Sequence, residues 1–423
     1  MLDTKRQLVR GGAVLLLVAL IVMGLARAGV EGYAVYHIRE ADRALARQNY
    51  EVAKPHLEAA VRARPASATL HLRLARVHRQ LGQLLQAEEH LNACRRIEGQ
   101  SEDYQLEVMM VQAERGRLDD VFEQLYVYVD KDKPQAPLIL EALVLATFNE
   151  QLYAPATSFA TKWVAKEPKN VQALYLLGAC KANLAQTEEA IELLQRAIDI
   201  DPDRDDVRQT LALVLADAHS YKAAAAHAEA CLKKHPNDPL LKGILARCYV
   251  GMGDLPKARE LLDEALPDGK GDANLLAERG KVALIMGDTQ EDTQEAEVWL
   301  TRAMQADPSN TVAVYSMVAC LTKLGKKDEA SKMDARRIQL EADLMRVDKI
   351  MSKELLSNPS AALYHELGTL LLRNGREQGL LWMYKALGKD PNSRPTNEYL
   401  ADYFERKGDK ERAERHRAML PRD

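Results

Sequence analysis

His71 and His78 are the first residues whose type and spacing suggest chemistry. Seven residues of helix set them about 10 Å apart along the axis. That is too far for both to ligate one metal directly. His365-Glu366 resembles the start of a zinc-protease helix, but the second histidine such a helix needs is replaced by Thr369. The five cysteines show neither paired zinc spacing nor a disulfide framework. A Cys231–Cys248 bridge is conceivable in an oxidising compartment, if the distance allows. Gly251-Met252-Gly253 has no strand before it, and Gly269-Lys270-Gly271 lacks the spacing and hydroxyl of a phosphate loop. No nucleophile–base set and no pair of carboxylates in a cleft can be traced. The sequence therefore predicts no catalytic residue, no metal ligand and no cofactor site, and the chain reads as a non-enzyme.

What remains is recognition chemistry. Arg39, Arg73, Arg76 and Arg79 fall on one projected side of two early helices and form a basic start to a binding face. Guanidinium groups there would pair with carboxylates of an acidic segment. Further along, the same projection gives Glu141, Asn149, Gln172, Tyr175, Asn183, Gln209 and Asp217. Asn149 and Asn183 occupy equivalent positions, and an amide that both donates and accepts can hold the backbone of an extended peptide. The partner-binding set expected from sequence is thus Arg39, Arg73, Arg76, Arg79, Asn149, Tyr175, Asn183 and Gln209. The competing reading is that these are simply the solvated faces of helices.

The elements that must position these residues are helical hairpins. Between Pro168 and Pro202 lie two apolar patterns with helical spacing, Val171–Leu184 and Glu188–Ile200, separated by a short polar break. Proline ends each pair because it lacks the N–H and clashes with the preceding turn. Pro168, Pro202 and Pro236 recur every 34 residues. About ten hairpins and a final partial one follow, starting near Ala34, Ala68, Glu102, Pro137, Val171, Asp205, Pro239, Ala273, Thr311, Ala361 and Arg394. Each second helix carries a small residue early: Ala53, Ala87, Val121, Ala156, Ala190, Ala224, Ala258, Ala296, Ala330, then Leu380 and Ala413. A small side chain there lets two helix backbones approach closely. A second column holds Ala60, Cys94, Tyr128, Trp163, Ala197, Cys231, Ala265 and Ala303, which makes its cysteines packing residues. Cys180, Cys248 and Cys320 share another packed column. Gly82, Gly116, Gly253, Gly287, Gly325, Gly375 and Gly408 mark the turns inside the hairpins.

The chain resembles the tetratricopeptide repeat family. The residues that carry the resemblance are Leu177-Gly178, Ala190, Ala197 and Asp201-Pro202, and it extends over roughly Ala34 to Arg417. It departs from the family where the first-helix aromatic becomes His37, His71, Leu174 or Arg208, and where the eighth repeat has four extra residues. The resemblance implies an all-α, right-handed superhelical solenoid whose first helices line a groove for peptides or protein partners. The family's clamp for a chaperone's terminal carboxylate is not found here. In the ninth repeat the second helix is expected to run from Asp328 to about Leu356. Its apolar seam, Leu340, Leu344, Val347 and Met351, either packs on the tenth repeat or makes a short coiled coil with a partner. The solenoid is read as 34–360, with the last repeats and a polar cap over 361–423.

The amino terminus reads differently. Lys5, Arg6 and Arg10 precede an apolar run from Gly11 to Ala26. The run is about 24 Å of helix, and Arg10 and Arg27 could snorkel to the two interfaces. Residues 1–10 are expected in the cytoplasm, 11–28 as a transmembrane signal-anchor, and the solenoid outside the cytoplasmic membrane. The alternative is a cleaved signal peptide, for which Ala26-Arg27-Ala28 offers a site, leaving a soluble exported peptide- or polymer-binding protein. The chain has a net charge of −4, and its pI is about 6.3, which argues against bulk nucleic-acid binding. The sequence thus predicts a scaffold tethered in a bacterial envelope. Its partners would be proteins or peptides, with no nucleic acid and no small-molecule cofactor.

Overall fold

The computed structural model describes residues 23–24, 27–355 and 359–420. Every regular element among them is a helix, and from Ala68 to Ala273 the first helices keep, to within a residue, the 34-residue register read from the prolines. The signal-anchor expected at 11–28 lies largely outside the described residues. Among those described, no helix is long and apolar enough to cross a membrane. The chain divides into two compact units, Met1–Glu150 and Gln151–Asp423.

In the first unit α1 (27–46) pairs with α2 (Tyr50–Ala63), and α3 (Ala68–Gln80) with α4 (Leu84–Glu98). α5 (Glu102–Gln112) reaches α6 (Leu118–Asp130) through a π-helical turn, Ala113–Arg117, and α7 (Ala136–Asn149) ends the unit. The second unit opens with α8 (Tyr153–Lys166). It continues through four hairpins: α9 (Val171–Asn183) with α10 (Thr187–Ile200), α11 (Asp205–Asp217) with α12 (Tyr221–Leu232), α13 (Pro239–Met252) with α14 (Leu255–Ala265), and α15 (Ala273–Met286) with α16 (Gln290–Ala306). Next come α17 (Thr311–Lys323) and the long α18 (Lys327–Lys349), then α19 (Ala361–Arg373) with α20 (Gly379–Lys389), and α21 (Arg394–Arg406) with α22 (Lys410–Ala418).

Three local rules make the hairpin. The first is the stop and restart between hairpins. After Pro65, Pro168, Pro236, Pro308 and Pro359, a short polar side chain caps the next first helix: Ser67, Asn170, Asp238, Asn310 and Ser360 each accept a backbone N–H two or three residues on, whereas Arg204 and Ser393 accept none at the helices after Pro202 and Pro391. The second is the small-residue column. Ala53, Ala87, Ala156, Ala190, Ala224, Ala258 and Ala296 are completely buried. On the facing helix Gly178 sits against Leu194, where an added Cβ would lie 2.9 Å from Leu194 Cγ. The third is the left-handed residue in the turn. Gly82, Gly253, Gly325, Gly375 and Gly408 take positive φ, and where glycine is missing at that register Gln48, Gln151, Ala185 and His219 take it instead. Gly287 departs from the expected turn: its φ is −73°, because the four extra residues let α16 restart with a capping box between Thr289 and Asp292.

The long helix largely keeps its expected span. α18 passes into a π-helical turn, Ile350–Glu354, and Leu355 is still helical, while Leu356 lies outside the described residues. Its seam packs within the chain. Val347, Ile350, Met351 and Leu355 form one apolar cluster with Tyr364, Leu367, Leu371 and Trp382 of α19 and α20. Of the two readings of that seam, packing on the tenth repeat is the one observed.

A left-handed alanine costs about 1 kcal/mol relative to glycine. Ala185→Gly is therefore expected to stabilise the second unit by roughly that amount, seen as a higher denaturation midpoint at unchanged helicity. Gly82→Ala should lower stability in the first unit by a similar amount.

Candidate functional site

The four arginines of the expected basic face have different surroundings. Arg39 is exposed on α1. Arg73 pairs with Asp42 across the first two hairpins. Arg76 donates from Nε to Glu107 at 3.0 Å. Arg79 is completely buried, donating to Glu107 at 2.6 Å and to Glu114. Gln80 donates to Glu141 at 2.6 Å. Three first helices, α3, α5 and α7, and the π-turn thus bring Glu107, Glu114 and Glu141 around one guanidinium. Arg79 is not a surface cation; its acceptors belong to the neighbouring hairpins. An isolated helix projection cannot reveal them.

The electrostatics of this cluster follow from burial. Desolvation works against the Arg79 charge, yet the carboxylates of Glu107, Glu114 and Glu141 outweigh it and raise the guanidinium pKa above its ordinary value. Burial likewise opposes ionisation of Glu107, but Arg79 and Arg76 together hold its carboxyl below the usual range. Glu114 and Glu141 have less compensation, and burial pushes each up to about 7. Arg79 Nη2 and Glu141 Oε1 are buried without a hydrogen-bond partner.

In the second unit the expected residues line the first helices. Tyr175 is half-buried with the Arg204 guanidinium 5.9 Å from its ring centre. Arg204 is itself held by Asp206 and by Gln172 at 2.8 Å. Gln209 is half-buried on α11. Asn183 is exposed at the end of α9, its amide donating to the Ala179 carbonyl at 2.9 Å. Asn149 is exposed at the end of α7, so the two asparagines belong to different units. Asn183 also lines a cleft of about 170 Å³ with Tyr153, Leu344, Val347, Met351 and Arg376. Repeats far apart in sequence meet there, a juxtaposition that a 34-residue register does not disclose.

The columns that carry Gln172, Tyr175, Ala179 and Asn183 in α9 hold mostly polar or small residues further on, among them Asp206, Gln209, Arg247 and Lys281, but each also holds one large exposed apolar side chain. Leu213, Leu240, Ile285 and Tyr315 occupy them in α11, α13, α15 and α17, and each is 39–54% exposed. These four were missed in the sequence because only polar groups were sought on that side. The repeat register alone would have found them.

Sequence reasoning also missed two histidines. His56 approaches His37, with Nδ1 to Nδ1 at 2.8 Å, and His90 approaches His71 in the same way at 3.0 Å. His78 stacks on His90 and its Nδ1 lies 2.8 Å from Gln83 Oε1. The signal was the 34-residue offset from 37 to 71 and from 56 to 90. His365 is half-buried beside Thr396, and burial lowers its pKa. All five cysteines are free and buried, Cys231 and Cys248 included, so no bridge joins them. Burial raises the thiols, Cys180 to about 12 and Cys248 and Cys320 to about 11, which makes them packing groups and poor nucleophiles.

With this geometry in view, comparison with known proteins gives the class. Tetratricopeptide repeat family models match residues 38–101, 149–214 and 215–279. Residues 38–101 and 149–279 are thus tetratricopeptide repeats, within an all-α helical-repeat solenoid. No curated protein sequence matches it significantly. Among solved structures it is similar to a tetratricopeptide repeat protein from Parabacteroides merdae, at 16% identity over 69% of this chain and 99% of that one, TM-score 0.38. MamA from Desulfovibrio magneticus matches at 19% identity over 41% of this chain and 97% of that one, TM-score 0.36. The human IFIT1 dimer with m7Gppp-AAAA matches at 15% identity over 83% and 89%, TM-score 0.45.

Two outcomes test the buried cluster. Arg79→Met strips Glu114 of its counter-ion and leaves Glu107 with Arg76 alone, and it is expected to destabilise the first unit by about 3–5 kcal/mol, measured by chemical denaturation. The pH dependence has a definite sign. Glu141 is ordinarily a carboxylate above about 4.5 but titrates near 7 when folded, so the folded state holds an extra proton between those values. Its contribution therefore falls as pH rises through that window. The Tm of Glu141→Gln minus that of the wild type should grow between pH 5 and pH 8.

Proposed function

We propose that this protein is a non-catalytic interaction scaffold. The first-helix face of its second unit binds a polypeptide segment, and the segment 11–28, with its apolar run Gly11 to Ala26, tethers it to a membrane with the solenoid on the exported side. One observation carries the binding half of this reading. Leu213, Leu240, Ile285 and Tyr315 are 39–54% exposed, one on each of four successive first helices, in the columns that hold Ala179, Gln172, Asn183 and Tyr175 in α9. Apolar surface gains roughly 25 cal/mol per Å² when removed from water. The core columns on the same helices are fully covered, so this exposure does not come from loose packing. The flanking side chains are mixed in charge, with Lys242 on Glu264 and Arg247 on Asp217. Exposed apolar positions set among charged ones suit an amphipathic polypeptide.

The tether rests on sequence alone, on the basic residues before an apolar run. Residues Ala26-Arg27-Ala28 support the alternative of a cleaved leader and a soluble exported protein. Amino-terminal sequencing of the membrane-extracted protein separates them: an intact start supports the tether, and a start at Gly29 removes it.

For the binding face, Leu213→Glu combined with Tyr315→Glu leaves the buried columns untouched. Crosslinked capture from native membranes should lose at least tenfold of any partner held by the wild type, at unchanged helicity. Retention of the same partners at the same yield would show that this face is not used.

A further inference from the structure

The histidines of the first two hairpins form a repeated pair that the scaffold reading does not need. His37 of α1 faces His56 of α2, and His71 of α3 faces His90 of α4. In each case Nδ1 points at Nδ1, at 2.8 and 3.0 Å, and the rings are tilted by 42° and 36°. The same two positions of two successive hairpins are involved. Packing alone does not ask for imidazole there: the position of His37 and His71 holds Leu174 and Arg208 in later repeats.

The second pair carries a further clue. His71 Nε2 lies 3.1 Å from the Pro65 carbonyl. A carbonyl oxygen only accepts, so Nε2 carries the hydrogen and Nδ1 of the neutral ring presents its lone pair. Fixing an imidazole through a backbone carbonyl on its far nitrogen is how metal-ligating histidines are commonly oriented. In the metal-free protein His90 Nδ1–H donates into that lone pair. A divalent ion would take the place of this shared hydrogen, and His90 would carry its proton on Nε2 instead, with no net proton released.

We propose that each pair, His37–His56 and His71–His90, is a two-histidine site for a divalent transition-metal ion of the imidazole-preferring class, with Cu²⁺ bound in preference to Ni²⁺ or Zn²⁺. Metal–nitrogen bonds of about 2.0–2.1 Å at the right angle between neighbouring ligands of tetragonal Cu²⁺ put the two nitrogens roughly 2.8–3.0 Å apart. Each pair already stands at that spacing. His37, His56 and His90 are half-exposed, so water reaches the remaining positions of the ion. Among the described residues no group of three or more His, Cys, Asp or Glu is placed to hold a metal, so protein supplies two ligands per ion and solvent the rest. All-nitrogen ligation and the usual stability order of divalent ions favour copper.

The test uses the full chain in detergent, stripped with chelator, with Cu²⁺ as the probe. Equilibrium dialysis gives stoichiometry, and electron paramagnetic resonance reports nitrogen couplings. The wild type is expected to take up two Cu²⁺, each with couplings from two imidazoles. His56→Asn and His90→Asn keep an N–H where Nδ1 stood, and so preserve the hydrogen bond to the partner ring while removing the ligand. Each should lose one equivalent, and the double variant both, with affinity at least tenfold weaker. His78→Asn should retain both. A wild type without two-imidazole couplings overturns the proposal. So does a double variant of unchanged helicity that binds as before, or a His78→Asn protein that loses an equivalent.

Discussion

Close approach of the two helices within each hairpin is the constraint from which the rest follows. It requires a residue no larger than alanine at one point of nearly every second helix, and Ala53, Ala87, Ala190, Ala224, Ala258 and Ala296 are wholly enclosed there. Gly178 on the facing helix cannot accept even a methyl group without displacing Leu194. Once the crossing is fixed, the turn must reverse the chain in three or four residues, which forces one residue into the left-handed region. The next proline and cap then restart the pattern. Faces of the first helices not consumed by these contacts become the free surface, so the same constraint that builds the hairpin also decides which columns can bind.

The two units use that surface differently. In the first unit the first helices and the π-turn carry polar and charged groups that pair with one another: Arg79 with Glu107 and Glu114, Arg76 with Glu107, Gln80 with Glu141. Three carboxyls share one buried guanidinium and the half-exposed Arg76, so the cluster is sensitive to protons near neutrality and offers no open cation at Arg79. In the second unit the same columns stay mixed in polarity, with one exposed apolar side chain on each of α11, α13, α15 and α17. Buried charge recurs at Arg279 of α15, which pairs with Asp263 and Glu295, and where the long helix meets the tenth hairpin. There Asp343 is enclosed and accepts from Gln339, Arg373 and Asn374, while Arg346 grips Glu366 with two parallel bonds. These bonds orient α18 on α19, and the Val347–Met351 seam supplies the apolar contact beneath them.

The repeat was legible because it is local. Prolines, caps, glycines and alanines each act within one hairpin, and a 34-residue register finds them all. The candidate site was legible only in part. Helix projection placed Tyr175, Gln209 and Asn183 on a first-helix side and Arg39 in solvent. It failed for Arg79 because the groups that neutralise that residue are 28 and 35 positions away, in other hairpins. It could not place Asn183 beside Met351, since that contact depends on how successive hairpins rotate. The histidine pairs and the Leu213–Tyr315 set lay within reach of the register and were passed over. One was hidden by a search for ligands on a single helix, the other by a search for polar groups alone.

The most direct measurement places a photo-crosslinking amino acid, one site at a time, on the two sides of the second unit in native membranes. Positions 213, 285 and 315 probe the first-helix face. Positions 200 and 298, exposed on second helices, probe the other side. The account predicts discrete polypeptide adducts from 213, 285 and 315 and none from 200 or 298. Adducts confined to 200 and 298, or adducts equally strong from both sides, would contradict it.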